Sequence, residues 1–216
     1  MLKNILLITL FTNNLLFAQK EVVQILSANE LKPGATENHQ KLVGNVALQY
    51  SDAKLFCNIA EVNSITNDFK AWGKVFINQK GEVKAWGDSL IYDGTSGLGK
   101  LYGDVKMKSE NSLLKTSLLF FDTKRNLVYY LSGGHTNQDE SKIFSKKGFY
   151  NTTTKYLKLK DSVQIINPEY SIKADTLEYS TNSKTSYFLG PTYIELTEEK
   201  IYCESGFYNR TLELGQ

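Results

Sequence analysis

A few residues of this sequence could do chemistry, and their spacing decides what each can do. Asp88, Asp93, Asp122 and Asp175 invite comparison with the paired carboxylates of a glycan-cleaving site, which must sit about 5 Å or about 6.5–9.5 Å apart. Asp93 and Asp122, however, follow an aromatic residue at turn starts, where an aspartate bonds its own backbone. Asp88 and Asp175 occupy a place that equivalent segments fill with Ser, Lys or Glu. Neither His39 nor His135 lies within metal-ligand spacing of a cysteine or an acid cluster, so no zinc tetrad and no nucleophilic triad assembles. His135, after Gly133-Gly134, reads as a turn residue. Trp72 and Trp86 each precede a glycine and suit either sugar stacking or, as the preferred reading, cross-strand packing. The expectation is no catalytic residue, no metal and no cofactor.

The elements that hold these residues come from an internal repeat. An aromatic followed by a small polar residue recurs as Tyr92-Asp93, Phe121-Asp122, Tyr150-Asn151, Tyr179-Ser180 and Tyr208-Asn209, 29 residues apart each time. A second anchor, apolar-x-small-x-apolar-x-apolar, centres on positions 44, 73, 103, 132, 161 and 190. Side chains alternate within a unit as a half-buried strand requires: Leu101, Val105 and Met107 share one parity, and Lys100, Asp104, Lys106 and Lys108 the other. Turn residues follow each aromatic anchor, as in Asp93-Gly94-Thr95-Ser96-Gly97 and Ser180-Thr181-Asn182-Ser183-Lys184. These patterns predict an all-β stack of strand units whose apolar positions form ladders along two facing sheets. Cys57 and Cys203 then lie five units apart, at least about 24 Å along the stack. A disulfide tolerates about 7 Å between Cα atoms, so no bridge between them is expected.

Met1–Ala18 combines Lys3, an apolar run from Ile5 to Phe11 and a short-residue exit, the plan of a cleavable signal peptide. Residues 19–216 are then one domain, and a soluble one. With a net charge of +2 and dispersed charges the chain has no basic stripe for nucleic-acid phosphates, and no nucleic-acid partner is expected.

The run small-x-Val-x-apolar, a loop, then Asp-x-Leu-x-Tyr and a polar turn resembles the OstA-like repeat of the LptA family and of the periplasmic part of its outer-membrane partner LptD. The carrying residues are Gly103-Asp104-Val105-Lys106-Met107, Gly87-Asp88-Ser89-Leu90-Ile91-Tyr92-Asp93 and Ala174-Asp175-Thr176-Leu177-Glu178-Tyr179. The likeness covers about residues 24 to 213. The leader ending Phe17-Ala18-Gln19 and the Tyr, Asn and Lys richness are similar to the longer OstA-like proteins of Bacteroidetes-type bacteria.

The resemblance implies a twisted β jelly roll, open at both ends, in the periplasm. Its inner face would take lipopolysaccharide acyl chains, and it would join edge to edge with other jelly-roll proteins of the lipopolysaccharide-transport bridge between the two membranes. Energy would come from an ATPase at the inner membrane, with no chemistry in the bridge itself. The groove would be lined by Val46, Leu48, Val75, Ile77, Leu90, Leu101, Val105, Met107, Leu119, Phe121, Val163, Ile165, Leu177 and Ile194. From a different class, a structural or adhesive β-repeat protein would pack the same residues into a filled core. Val23 and Ile25 at one end, and Ile201 and Tyr202 at the other, mark the edges through which head-to-tail self-association is expected. The chain stops at Gln216, where a further strand should begin, so it is either an excerpt of a longer protein or one with its last edge left open.

Overall fold

The structure, a computed structural model, describes residues 22–80, 82–209, 211–212 and 214–216; the expected leader at 1–18 lies outside the described residues. Six long strands follow one another as antiparallel neighbours: β3 (His39–Tyr50), β4 (Ala53–Asn63), β5 (Phe69–Gln79), β6 (Val83–Asp93), β7 (Leu98–Ser109) and β8 (Ser112–Asp122). Four more close the other end, β13 (Tyr156–Ile166), β14 (Tyr170–Ser180), β15 (Thr185–Leu196) and β16 (Lys200–Asn209). Between them lie two broken strands. β9 (Leu127–Tyr130) and β10 (Gly134–Gln138) both pair with β8, while β11 (Ser141–Ser145) and β12 (Lys147–Asn151) both pair with β13. At the first end β1 (Gln24–Ser27) and β2 (Glu30–Pro33) are likewise two pieces of one rung, both on β3. The short β17 (Leu214–Gly215) covers Tyr208 and Asn209 at the last.

The sequence predicted two facing sheets. The structure has instead one continuous sheet, bent along a line that crosses every long strand. On the odd strands the bend is a bulge at the small residue of the second anchor, where the register slips between Val43 and Val46, Trp72 and Val75, Tyr102 and Val105, and Lys160 and Val163. Left-handed backbone marks each bulge: Gly44 at φ 75° with Asn45 at 48°, Gly73 at 74° with Lys74 at 54°, and Asp161 at 62° with Ser162 at 60°. At Gly103 (φ 100°) glycine is required twice over, because an added Cβ would also lie 2.1 Å from the Asp88 carboxylate.

The bend has a consequence that simple alternation does not foresee. The convex side of a corner is the longer path, so an even strand, which carries no extra residue there, turns two successive residues outward. Its inward positions therefore run 55, 57, then 60, 62 on β4, where Leu55, Cys57, Ala60 and Val62 are buried while Asn58 is exposed. On β8 the same step leads from Leu114 and Thr116 to Leu119. On odd strands the bulge cancels the step, which is why Leu101 and Val105 keep one parity.

The turns obey one rule. Asn63, Asp93, Asp122, Asn151 and Asn209 each accept from backbone N–H groups two or three residues on, as in Ser96 N to Asp93 Oδ1 at 2.8 Å and Arg125 N to Asp122 Oδ1 at 2.9 Å. The left-handed residue that closes the turn follows at Asn67, Gly97, Asn126 and Lys155, and at Lys184 in the turn where the Ser180 hydroxyl accepts from Ser183 N. His135 is not a turn residue as expected but a member of β10, paired with Lys115 and Phe144, because the chain breaks just before it at Leu131–Gly133.

Candidate functional site

The two arms of the bent sheet face each other, and the space between them is the only enclosed apolar environment among the described residues. Successive strands put side chains into rows that run along the stack. Before the corner, one row joins Leu42, Ala60, Ala71, Leu90, Leu101 and Leu119, each paired with the next. After the corner, a second joins Leu48, Leu55, Ile77, Ala85, Met107 and Leu114, then Thr136, Ile143, Ile165, Ile172, Ile194 and Ile201. The aromatic anchors Tyr92, Phe121, Tyr150, Tyr179 and Tyr208 fall in one row near the turns. Leu42, Leu101 and Val105 are 0% exposed. With no helix among the described residues to cover them, only the opposite arm can do so, and the buried residues of the two arms gather in two clusters along the stack.

All the expected lining residues lie on this inner face. Val46, Leu48, Val75, Leu90, Leu101, Val105, Leu119, Val163 and Leu177 are buried, and Ile77, Met107, Phe121, Ile165 and Ile194 are half-buried against them. Sequence reasoning missed Leu42, Leu55, Ala60, Ala71, Leu114, Leu159, Phe188 and Tyr130, which complete the rows. Their strand neighbours across each ladder were the available signal. Between the arms Cys57 is buried, its thiol donates to the Ile59 carbonyl, and burial pushes its pKa up to about 11.

Of the expected edges, Val23 is corrected: it is 9% exposed, belongs to the core, and donates its N–H to Asn67 Oδ1 at 3.2 Å. Among the described residues the first edge is instead the outer side of β1 and β2, with Ile25 paired to Leu48 and with Pro33 in the second piece. At the other end Ile201 and Tyr202 are 45% and 52% exposed, and β16 ahead of Gly206 has no strand beyond it among the described residues.

The candidate acids are dispersed. Asp88 on β6 and Asp175 on β14 are six rungs apart, roughly 29 Å along the stack, well outside carboxylate-pair spacing. Asp93 and Asp122 hold turns, and the Ser96 amide keeps the Asp93 carboxyl below the usual range. No group of three or more His, Cys, Asp or Glu suited to a metal ion occurs among the described residues. Trp86 stacks on Phe76 at 5.3 Å between ring centres, and Phe76 on Phe56 at 5.8 Å, an outer-face row that fits the packing reading.

A repeat β jelly roll enclosing an apolar face between two arms is the class of protein that the fold and site define. Residues 20–175 match the OstA-like protein family, and the chain belongs to that family. A similar solved structure is that of LptH from Pseudomonas aeruginosa, described as the LptA-homologous periplasmic component of the lipopolysaccharide transport device. It is 17% identical, with a TM-score of 0.44 over 48% of this chain and 79% of that one. A search of curated proteins gave no match.

Proposed function

We propose that this chain is a periplasmic lipopolysaccharide-transport protein, exported by a cleavable leader, that shelters acyl chains between its arms and joins edge to edge with similar jelly rolls. The observation that carries the reading is the set of apolar rows that run along the stack on either side of the Thr136 rung, a surface with the chemistry hydrocarbon chains need. Family membership supports it. The half from Ile143 onward is the more receptive, because Ile143, Leu157, Ile165, Ile172, Tyr179 and Ile194 are only partly buried there. The second reading, a structural or adhesive β-repeat protein with a filled core, is favoured by the complete burial of Leu42, Leu101 and Val105 in the first half.

The discriminating experiment is binding of a polyene fatty-acid fluorophore, competed by lipopolysaccharide, to protein whose fold is checked by circular dichroism. Binding and competition are expected. Ile165→Glu, which puts an unpaired charge on the inner face, should abolish binding, and Gln164→Glu, on the outer face, should not. Well-folded protein that binds nothing overturns the carrier reading and leaves the packed one.

A further inference from the structure

Three inward positions change character at one rung. Where the other units carry Leu42, Ala71, Leu101, Leu159 or Phe188, this rung carries Tyr130. Where they carry Val46, Val75, Val105, Val163 or Thr192, it carries Gly134, and the row of Leu and Ile beyond the corner is interrupted by Thr136. These departures fit one another. The Tyr130 ring, 5% exposed, fills the space that Gly134 and Gly148 leave vacant: a Cβ at Gly134 would lie 2.3 Å from the ring, and one at Gly148 2.5 Å. The Tyr130 hydroxyl lies 2.7 Å from Ser145 Oγ, and Ser145, 0% exposed, donates onward to the Lys147 carbonyl at 2.9 Å. Tyr130 is thus the donor to Ser145, and both hydroxyls are satisfied inside the apolar body. The core divides at this point. One group of buried residues runs from Val23 to Tyr130, and a second from Leu159 to Phe188, with Ile143 at its near side.

We propose that Tyr130, locked by Ser145 and seated on two glycines, divides the interior into two acyl-chain compartments and sets how far a chain entering from the β16 end can run. The proposal rests on the carrier reading and deepens it. The compartment beyond Tyr130 runs over five rungs, from β12 to β16, whose four spacings make about 19 Å at the usual strand separation. It is the looser one, and the inner residues before Tyr130 are the more fully buried. A chain longer than the open compartment meets the face of a hydrogen-bonded ring instead of a flexible aliphatic side chain. The row thus has a stop that Leu would not provide.

The test uses a long-chain fatty acid carrying a photoreactive diazirine at its far end, with adducts on the whole chain mapped by mass spectrometry. In the wild-type protein adducts are expected only on the β11–β16 side. Tyr130→Leu supplies the residue that equivalent units hold, and Ser145 keeps its bond to Lys147, so this variant should fold. Its adducts are expected to extend to the Leu101–Leu119 region. Tyr130→Phe keeps the ring and should confine adducts as the wild type does. Adducts on both sides in the wild-type protein, or confinement unchanged in Tyr130→Leu, overturn the divider. Absence of any adduct in all three folded proteins overturns the carrier reading itself, and the divider with it.

Discussion

Replacing Leu101 with Ala tests whether the two arms truly pack against each other. Leu101 is 0% exposed and sits in the middle of the row before the corner, paired with Leu90 on one side and Leu119 on the other. The substitution removes three carbons, worth about 2.4 kcal/mol at about 0.8 kcal/mol per buried CH₂. The cavity left between neighbours held by backbone ladders raises the total to about 3–4 kcal/mol. For a domain of this size that is a fall in Tm of roughly 6–16 °C, a large share of the roughly 5–15 kcal/mol that holds a domain folded. Thermal and urea unfolding followed by circular dichroism would read it, with Lys100→Ala on the outer face as the control. A loss for Leu101→Ala below about 1 kcal/mol, the range of surface changes, would refute the packing of the arms.

Three further outcomes follow from particular residues. Ala60→Glu places an unpaired charge at a 0% exposed position and should cost several kcal/mol, while Asn58→Glu, two residues away and exposed, should leave the unfolding midpoint within about 0.5 kcal/mol; equal losses would deny the inward step at the corner. The Cys57 thiol ionises near 9.0 when unfolded and near 11 when folded, so the unfolded state releases its proton first and stability should fall as pH rises from 9 to 11. Cys57→Ala should flatten that slope, and an unchanged slope would show that the thiol is not desolvated. Of the consecutive N–H groups of Ile201 and Tyr202, one must point off the sheet. Proline at that position should therefore weaken concentration-dependent association in sedimentation without lowering the stability of β3–β8, and association untouched by proline at either position would count against edge pairing.

Much of this architecture was legible because the repeat is strict. The aromatic anchor located a row and the Asp or Asn after it located the turn, since both roles need particular residue types at a fixed distance. The inward residues of odd strands were readable only because two offsets cancel there, the bulge and the corner, leaving Leu101 and Val105 in apparent alternation. Even strands have no bulge, so the step from Cys57 to Ala60 lies outside a two-residue period and Ala60 was missed. Val23 read as an edge because its segment is apolar and terminal, but the Asn67 side chain that ties down its N–H is 44 residues away. Two residues before the aromatic anchor Tyr150, where other units carry Leu90, Leu119 or Leu177, Gly148 leaves a gap. What fills the gap, the ring of Tyr130 from the neighbouring strand, is a cross-strand fact that no periodicity along the chain encodes.

The central claim is that lipopolysaccharide acyl chains occupy the space between the arms. Site-specific photo-cross-linking to purified lipopolysaccharide tests it most directly, with a photoreactive residue placed in turn at Ile165 and Ile172, which lie on the inner row beyond Tyr130, and at Gln164 and Lys173, which are exposed outside it. Adducts from Ile165 and Ile172 and none from Gln164 and Lys173 are the predicted result. Adducts of equal yield from both faces, or from the outer pair alone, would contradict it.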